Sequence, residues 1–154
     1  MTSRPFILIL SSNLGLGYAP IAPGTFGTLA GIPCFWLLAQ RSMAIQLAVF
    51  LALLILSIWA AQQAGEIHGN ADDGRIVIDE LMGYLTTVLF LPFTWPTALA
   101  AFVLFRIFDI LKPPPASTFD RNLKNGFGVV LDDVAAGLYA AAVLRTGLWL
   151  STQL

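Results

Sequence analysis

The sequence predicts an all-α fold, a small polytopic membrane bundle of about five short helices with its functional loops on one face. Three observations predict it. Of 154 residues, 57% are hydrophobic and only 11% charged, against about 25% charged in an ordinary soluble domain. Mean hydropathy is +0.78, so too little polar surface exists to cover a water-exposed globule. The charges are also clustered. Six fall between Glu66 and Glu80 and eight between Arg106 and Asp133, whereas Pro5–Gln40, Ser42–Gly65 and Leu81–Phe105 carry none. A compact soluble bundle is the competing fold, and the long uncharged stretches argue against it. The length allows one domain, 1–154.

Each element follows in order. Arg4 followed by FILIL has the charged-then-apolar order of a secretory signal, but the apolar run is short and Pro20 spoils a cleavage pattern. Thr25–Ala39 reads as a first short helix. Ser42–Gly65 fits a full span, since about 20 apolar residues cross a bilayer. Leu81–Phe105 is broken by Pro92 and Pro96, because an interior proline removes a donor and clashes with the preceding turn. A helical hairpin is predicted there, Glu80–Leu91 and Pro96–Ile110, with Trp95 at an interfacial turn. Val129–Leu150 makes the last helix. With a cytoplasmic amino terminus, the Gln40–Ser42 and Pro92–Pro96 turns lie outside. Six basic residues then lie inside (Arg4, Arg75, Arg106, Lys112, Arg121, Lys124) and two outside (Arg41, Arg145), the orientation that the positive-inside rule favours. Every acidic residue lands on that inner face.

Net charge is −1, which gives no basic footprint for a nucleic-acid partner. The single cysteine, Cys34, lies in an apolar run and reads as packing. His68 is the only histidine, which excludes phosphatases built on two. Cys34 has no arginine at the offset of the cysteine phosphatases, and there is no Asp-x-Asp nucleophile pair. Carboxylates with a metal are the remaining route to phosphoester chemistry.

Two acidic pairs fit that route. Asp79-Glu80 and Asp132-Asp133 each stand at the entrance of an apolar helix, with Gly83 and Gly137 about one turn further in. Helix capping explains one acid per helix, since the macrodipole favours an anion at the amino terminus; it explains two adjacent acids poorly. Small residues let membrane helices approach closely, and close approach would gather the carboxylates. Such a group repels itself unless a hard divalent cation such as magnesium lies between its oxygens. Arg106, Asp109 and Lys112 step by three along one helical face, and the Pro113–Pro115 run ends that helix. They read either as a phosphate clamp beside a metal-binding acid or as snorkelling cations with an ion-paired acid. The glycine-rich run Gly15–Thr28 offers backbone N–H groups for an anion, with Thr25 and Thr28 as candidate hydroxyls. It is not a Walker loop, because no Gly-Lys-Ser/Thr follows.

Three stretches, APGTFGTLAG (Ala22–Gly31), DGRIVIDELMG (Asp73–Gly83) and FRIFDILKPPPASTFDRNLKNGFGVVLDDVAAG (Phe105–Gly137), resemble the phosphatidylglycerophosphatase A family. The resemblance implies magnesium-dependent hydrolysis of phosphatidylglycerophosphate to phosphatidylglycerol and phosphate at the bacterial cytoplasmic membrane. It implies that Asp79, Glu80, Asp109, Asp132 and Asp133 hold metal or position water. Arg106 and Lys112 would grip phosphate, with Thr25 and Thr28 as further candidates and Asp72 in an outer shell. The expected partners are a membrane phospholipid substrate and the bilayer, with no nucleic acid. A head-group transferase would need Asp-Gly-x-x-Ala-Arg, into which Asp73-Gly74-Arg75 does not extend. A structural membrane subunit would use the acids only as caps.

Overall fold

The computed structural model describes residues 4–118 and 123–153. Seven α-helices lie wholly among them: α1 Arg4–Ser11, α2 Pro23–Leu29, α3 Gly31–Leu38, α4 Met43–His68, α5 Ile78–Val88, α6 Trp95–Leu111 and α7 Gly126–Ser151, with a 3-10 turn at Leu16–Tyr18. No strand occurs among the described residues. The expected helical class holds, although the helix count exceeds five. Arg121, counted above among the inner cations, lies outside the described residues.

Two helices, α4 and α7, are each 26 residues long and apolar enough to cross a membrane. At 1.5 Å per residue each reaches about 39 Å. They differ in role. In the most apolar stretch of α7, 61% of residues are buried, against 22% in α4. The α7 helix is the central post, packed on α5, α6 and α4. The α4 helix instead turns Met43, Leu47, Leu51 and Ile55 outward, a surface suited to lipid and costly in water. The chain is membrane-associated.

The predicted Thr25–Ala39 helix is two helices. Pro23 occupies the first position of α2, where its missing N–H costs nothing. The break falls at Ala30, three residues before Pro33, whose nitrogen cannot donate back into the preceding turn. Gly31 lies directly under the ring of Tyr84, where a Cβ would collide. Tyr84 is fully buried, with its hydroxyl donating to the Ala98 carbonyl at 3.2 Å. Thus α3, α5 and α6 close around one aromatic side chain.

Helix ends follow local chemistry. Ser42, Thr94 and Asn125 cap α4, α6 and α7 by accepting from the N–H groups of Ile45, Thr97 and Gly128. Gly69 ends α4 in the left-handed region at φ 75°. The α5 helix is only 11 residues, about 16 Å, so its last carbonyls fall short of a full span. Arg145 of α7 reaches them, donating to Thr87 O at 3.2 Å and Leu89 O at 2.5 Å. Gln46 of α4 accepts from Phe90 N at 3.0 Å and donates to Arg41 O at 3.0 Å. These bonds tie the Gln40–Ser42 turn, the Leu89–Thr94 turn and the carboxyl half of α7 to one end of the bundle. Exposed Trp36 and Trp95 share a groove at that end. The acidic pairs stand at the other.

Candidate active site

The site is assembled where α5 and α7 cross. Gly83 abuts the Phe105 ring and the Asp133 carbonyl oxygen, and Gly137 abuts the Gly83 carbonyl and Thr86. A side chain at either position would hold the helices apart. Thr87 Oγ1, which donates to Gly83 O within α5, also reaches Gly137 O of α7 at 3.3 Å. The small residues thus bring the acid-bearing turns of the two helices together, as close-packed membrane helices require.

The result is a cluster of carboxylates. Oxygens of Asp79, Glu80 and Asp133 all lie within 4.8 Å of one another. Asp79 and Asp133 are 8% and 4% exposed. Asp79 Oδ1, Glu80 Oε2 and Asp133 Oδ2 are buried with no hydrogen-bond partner. An unpaired buried polar atom costs about 1–3 kcal/mol, and more when charged. Three such oxygens aimed at one volume are a donor set for a hard cation; the residues fit a divalent metal.

Helix capping does not account for them. Asn125 caps α7, and Asp132 and Asp133 sit in its second turn, deeper than the entrance position expected from sequence. At α5 the cap residue is Val77, and no side chain bonds there.

Cations flank the cluster. Arg106 Nη1 lies 2.5 Å from Asp109 Oδ2 and 4.0 Å from Glu80 Oε1. Asp109 in turn acts on both Glu80 and Asp133, so the two groups that step by three on α6 face the acids. Lys112 turns elsewhere than the one-face spacing suggested: its backbone adopts the left-handed φ of 43° at the end of α6, and Nζ lies 2.6 Å from Asp132 Oδ2. Asp132 is thereby paired, and its Oδ1 also accepts from the Asp133 N–H at 3.0 Å.

The glycine-rich segment closes the site from the third side. Gly24 lies against Glu80 Oε1 and Arg106 Nη1, with no room for a Cβ. Thr25, half-buried, stands in the first turn of α2. Thr28 is fully buried, and its hydroxyl donates to Gly24 O at 2.8 Å, which supports the backbone that meets Glu80. Asp72 is exposed in the loop before α5. Its neighbour Asp73 grips Arg75 through two bonds of 2.7 and 2.8 Å. Sequence reasoning did not single out Gly24; its only signal was its place between Pro23 and two threonines.

The sequence profile of the phosphatidylglycerophosphatase A family matches residues 9–148. Phosphatidylglycerophosphatase A of Escherichia coli is 37% identical over 92% of this chain and 83% of that protein. Its counterpart in Haemophilus influenzae is 41% identical over 90% of this chain and 86% of that protein. A Bacteroides thetaiotaomicron protein, provisionally named a phosphatidylinositol-3-phosphatase, is 35% identical over 95% of this chain and 97% of its own length. No solved structure matches. The chain belongs to the phosphatidylglycerophosphatase A family.

Proposed function

We propose that this protein hydrolyses the terminal phosphate of phosphatidylglycerophosphate, giving phosphatidylglycerol and inorganic phosphate. It does so with magnesium, as a multi-pass protein of the bacterial inner membrane whose acidic site faces the cytoplasm. The reading rests on one observation above the rest: three partnerless buried carboxylate oxygens, beside an arginine and a lysine, in a membrane chain of this family.

Asp79, Glu80 and Asp133 would hold the metal, with Asp109 and Asp132 next to them. Bound there, the ion would supply charge neutralisation on the phosphoryl oxygens and a more acidic water. The remaining work falls to the chain. Arg106, which touches both Asp109 and Glu80, offers a planar fork of donors suited to phosphate oxygens. Lys112 adds a point charge, and Asp132 holds it in place. Carboxylate oxygens not committed to cation binding orient the attacking water in line with the leaving glycerol oxygen. Thr25, next to Gly24 in the first turn of α2, would offer its hydroxyl to the phosphate, and Thr28 stiffens that turn. Buried surroundings keep bulk water from competing, which strengthens each of these contacts.

The architecture suits a lipid. Acyl chains remain in the bilayer while the polar terminus enters at the end of α5 and α7 where the acids stand. Phosphate release from purified protein in mixed micelles tests the reading. Turnover of phosphatidylglycerophosphate with magnesium, lost on chelation, is the expected result. Turnover that survives chelation would remove the metal from the reading. Faster turnover of phosphatidylinositol 3-phosphate would transfer the substrate to the one named for the Bacteroides relative.

A further inference from the structure

Beside the acids lies a second cleft that the hydrolytic site does not use. It is about 320 Å³, walled on one side by Gly17–Pro20 and Pro23 and on the other by Asp73–Arg75. Pro23 lines this cleft, and its neighbour Gly24 lies against Glu80 and Arg106. The first turn of α2 thus has the cleft on one side and the Glu80 and Arg106 side chains on the other. Gly17 packs on the Arg75 carbonyl so closely that any side chain would meet backbone, which fixes the width of the cleft. Asn13 anchors the same segment by donating to Val77 O at 2.7 Å.

The cleft offers directed donors to a small polar group. Asp73 takes Nε and Nη2 of Arg75, which locks the guanidinium plane and leaves the other terminal nitrogen, Nη1, to donate. Tyr18 stands close enough to Arg75 to interact with it, offering a half-exposed ring and a hydroxyl to a polyol. Part of the lining is apolar. Pro20 and Pro23 belong to it, and Leu14 and Ile21, nearby in sequence, are 87% and 78% exposed. With an arginine donor and a tyrosine hydroxyl in its walls, and Gly24 beside Pro23 touching Glu80 and Arg106, the cleft has the layout of a lipid headgroup subsite.

We infer that this cleft binds the phosphodiester and central glycerol of the substrate, with Arg75 as the residue that reads the second phosphate. The inference rests on the function proposed above. A lipid with two phosphates separated by glycerol needs one site for the terminal monoester and another for the diester. Arg75 then sets specificity: it favours lipids that carry a phosphodiester behind the scissile group over phosphatidic acid, whose single phosphate joins the diacylglycerol directly and leaves the cleft empty.

The test compares wild type with Arg75→Gln and Arg75→Lys on phosphatidylglycerophosphate and on phosphatidic acid in mixed micelles. The glutamine variant is expected to raise KM for the two-phosphate lipid about tenfold, the scale of a lost charge-assisted bond. Its kcat should stay unchanged, and phosphatidic acid should be turned over as before. Lysine should recover part of the loss. Phosphatidylglycerol, which keeps the diester, should inhibit wild type competitively and the glutamine variant about tenfold more weakly. Equal losses on both lipids, or none, overturn the inference. Were wild type to hydrolyse neither lipid, the phosphatase reading would fall by itself. Calorimetric binding of phosphatidylglycerol would then decide the subsite, and equal affinity in both proteins would refute it.

Discussion

Asp133 concentrates the physical argument at the scale of one residue. Its carboxylate is 4% exposed and Oδ2 has no partner, while Asp79, Glu80 and Asp109 surround it with like charge. Crowded buried anions destabilise the fold unless a cation compensates them. Asp133→Asn should therefore lower turnover by more than about a hundredfold, since even supporting residues of metal sites are worth 10–100-fold. The same variant should melt no lower than wild type when both are stripped with chelator, because one repelling charge is gone. Loss of activity accompanied by a lower melting temperature in chelator would make Asp133 structural. A second residue-scale prediction concerns pH. The Arg75 guanidinium hydrogen bond holds Asp73 down to about 2, below the ordinary carboxylate value of about 3.9. A depressed folded-state value means that the pair's contribution is present above about 3.9 and disappears as pH falls through about 2. Arg75 is 45% exposed, so solvent screens the pair and its contribution to stability is small; the titration midpoint is the better readout. Carbon-detected NMR should place it near 2 in wild type and near the ordinary value, about 3.9, in Arg75→Gln.

Helices set the distances between those residues, and the α5–α7 crossing is the tightest constraint. A methyl group at Gly137 would meet the Gly83 carbonyl and Thr86, and backbone cannot give way as a flexible side chain can. Gly137→Ala should cost about 1–3 kcal/mol by overpacking and should lower metal affinity, because separating the helices separates Asp79 from Asp133. Thermal melting with and without magnesium would read both effects, and an alanine variant with unchanged metal-induced stabilisation would contradict the geometry. This crossing was legible in the sequence, since a helix that needs only a cap has no use for a second acid or for a glycine one turn beyond it. The clustering of Asp79, Glu80 and Asp133 followed from it. What was hidden depended on three-dimensional capping and on turns. Arg145 looked like a stray outer cation, yet it satisfies the carbonyls that a short α5 leaves open, a partnership across more than fifty residues. The partnership of Lys112 with Asp132 joins two helices across twenty residues of sequence, so spacing along one helix pointed instead to a shared face with Arg106. The break at Ala30 was obscured because Thr25–Ala39 carries no charge to mark a boundary, and Pro33 was not weighed together with the Tyr84 ring that meets Gly31.

At the scale of the whole molecule the two ends of the bundle have opposite chemistry. One end holds the Gln40–Ser42 and Leu89–Thr94 turns, bridged by Gln46, with Trp36 and Trp95 beside them. The other carries the acids, Lys112 and the Asp73–Arg75 loop. Tryptophan settles at bilayer interfaces and excess basic charge stays in the cytoplasm, so the bundle should insert with the aromatic end outward. Under the proposed function, a lipid phosphate presented at the cytoplasmic leaflet reaches the carboxylates only if they face that leaflet. Cys34 is the single cysteine, which makes the orientation measurable. In a Cys34→Ala background, Asn70→Cys should react with a membrane-impermeant maleimide only after the inner membrane is permeabilised. Ser42→Cys should react in intact spheroplasts. Both positions are exposed and neither carries the chemistry, so each variant should retain turnover and report the native arrangement. The reverse labelling pattern would place the acids on the outer leaflet, where a substrate synthesised inside would have to cross the bilayer before it could be cleaved.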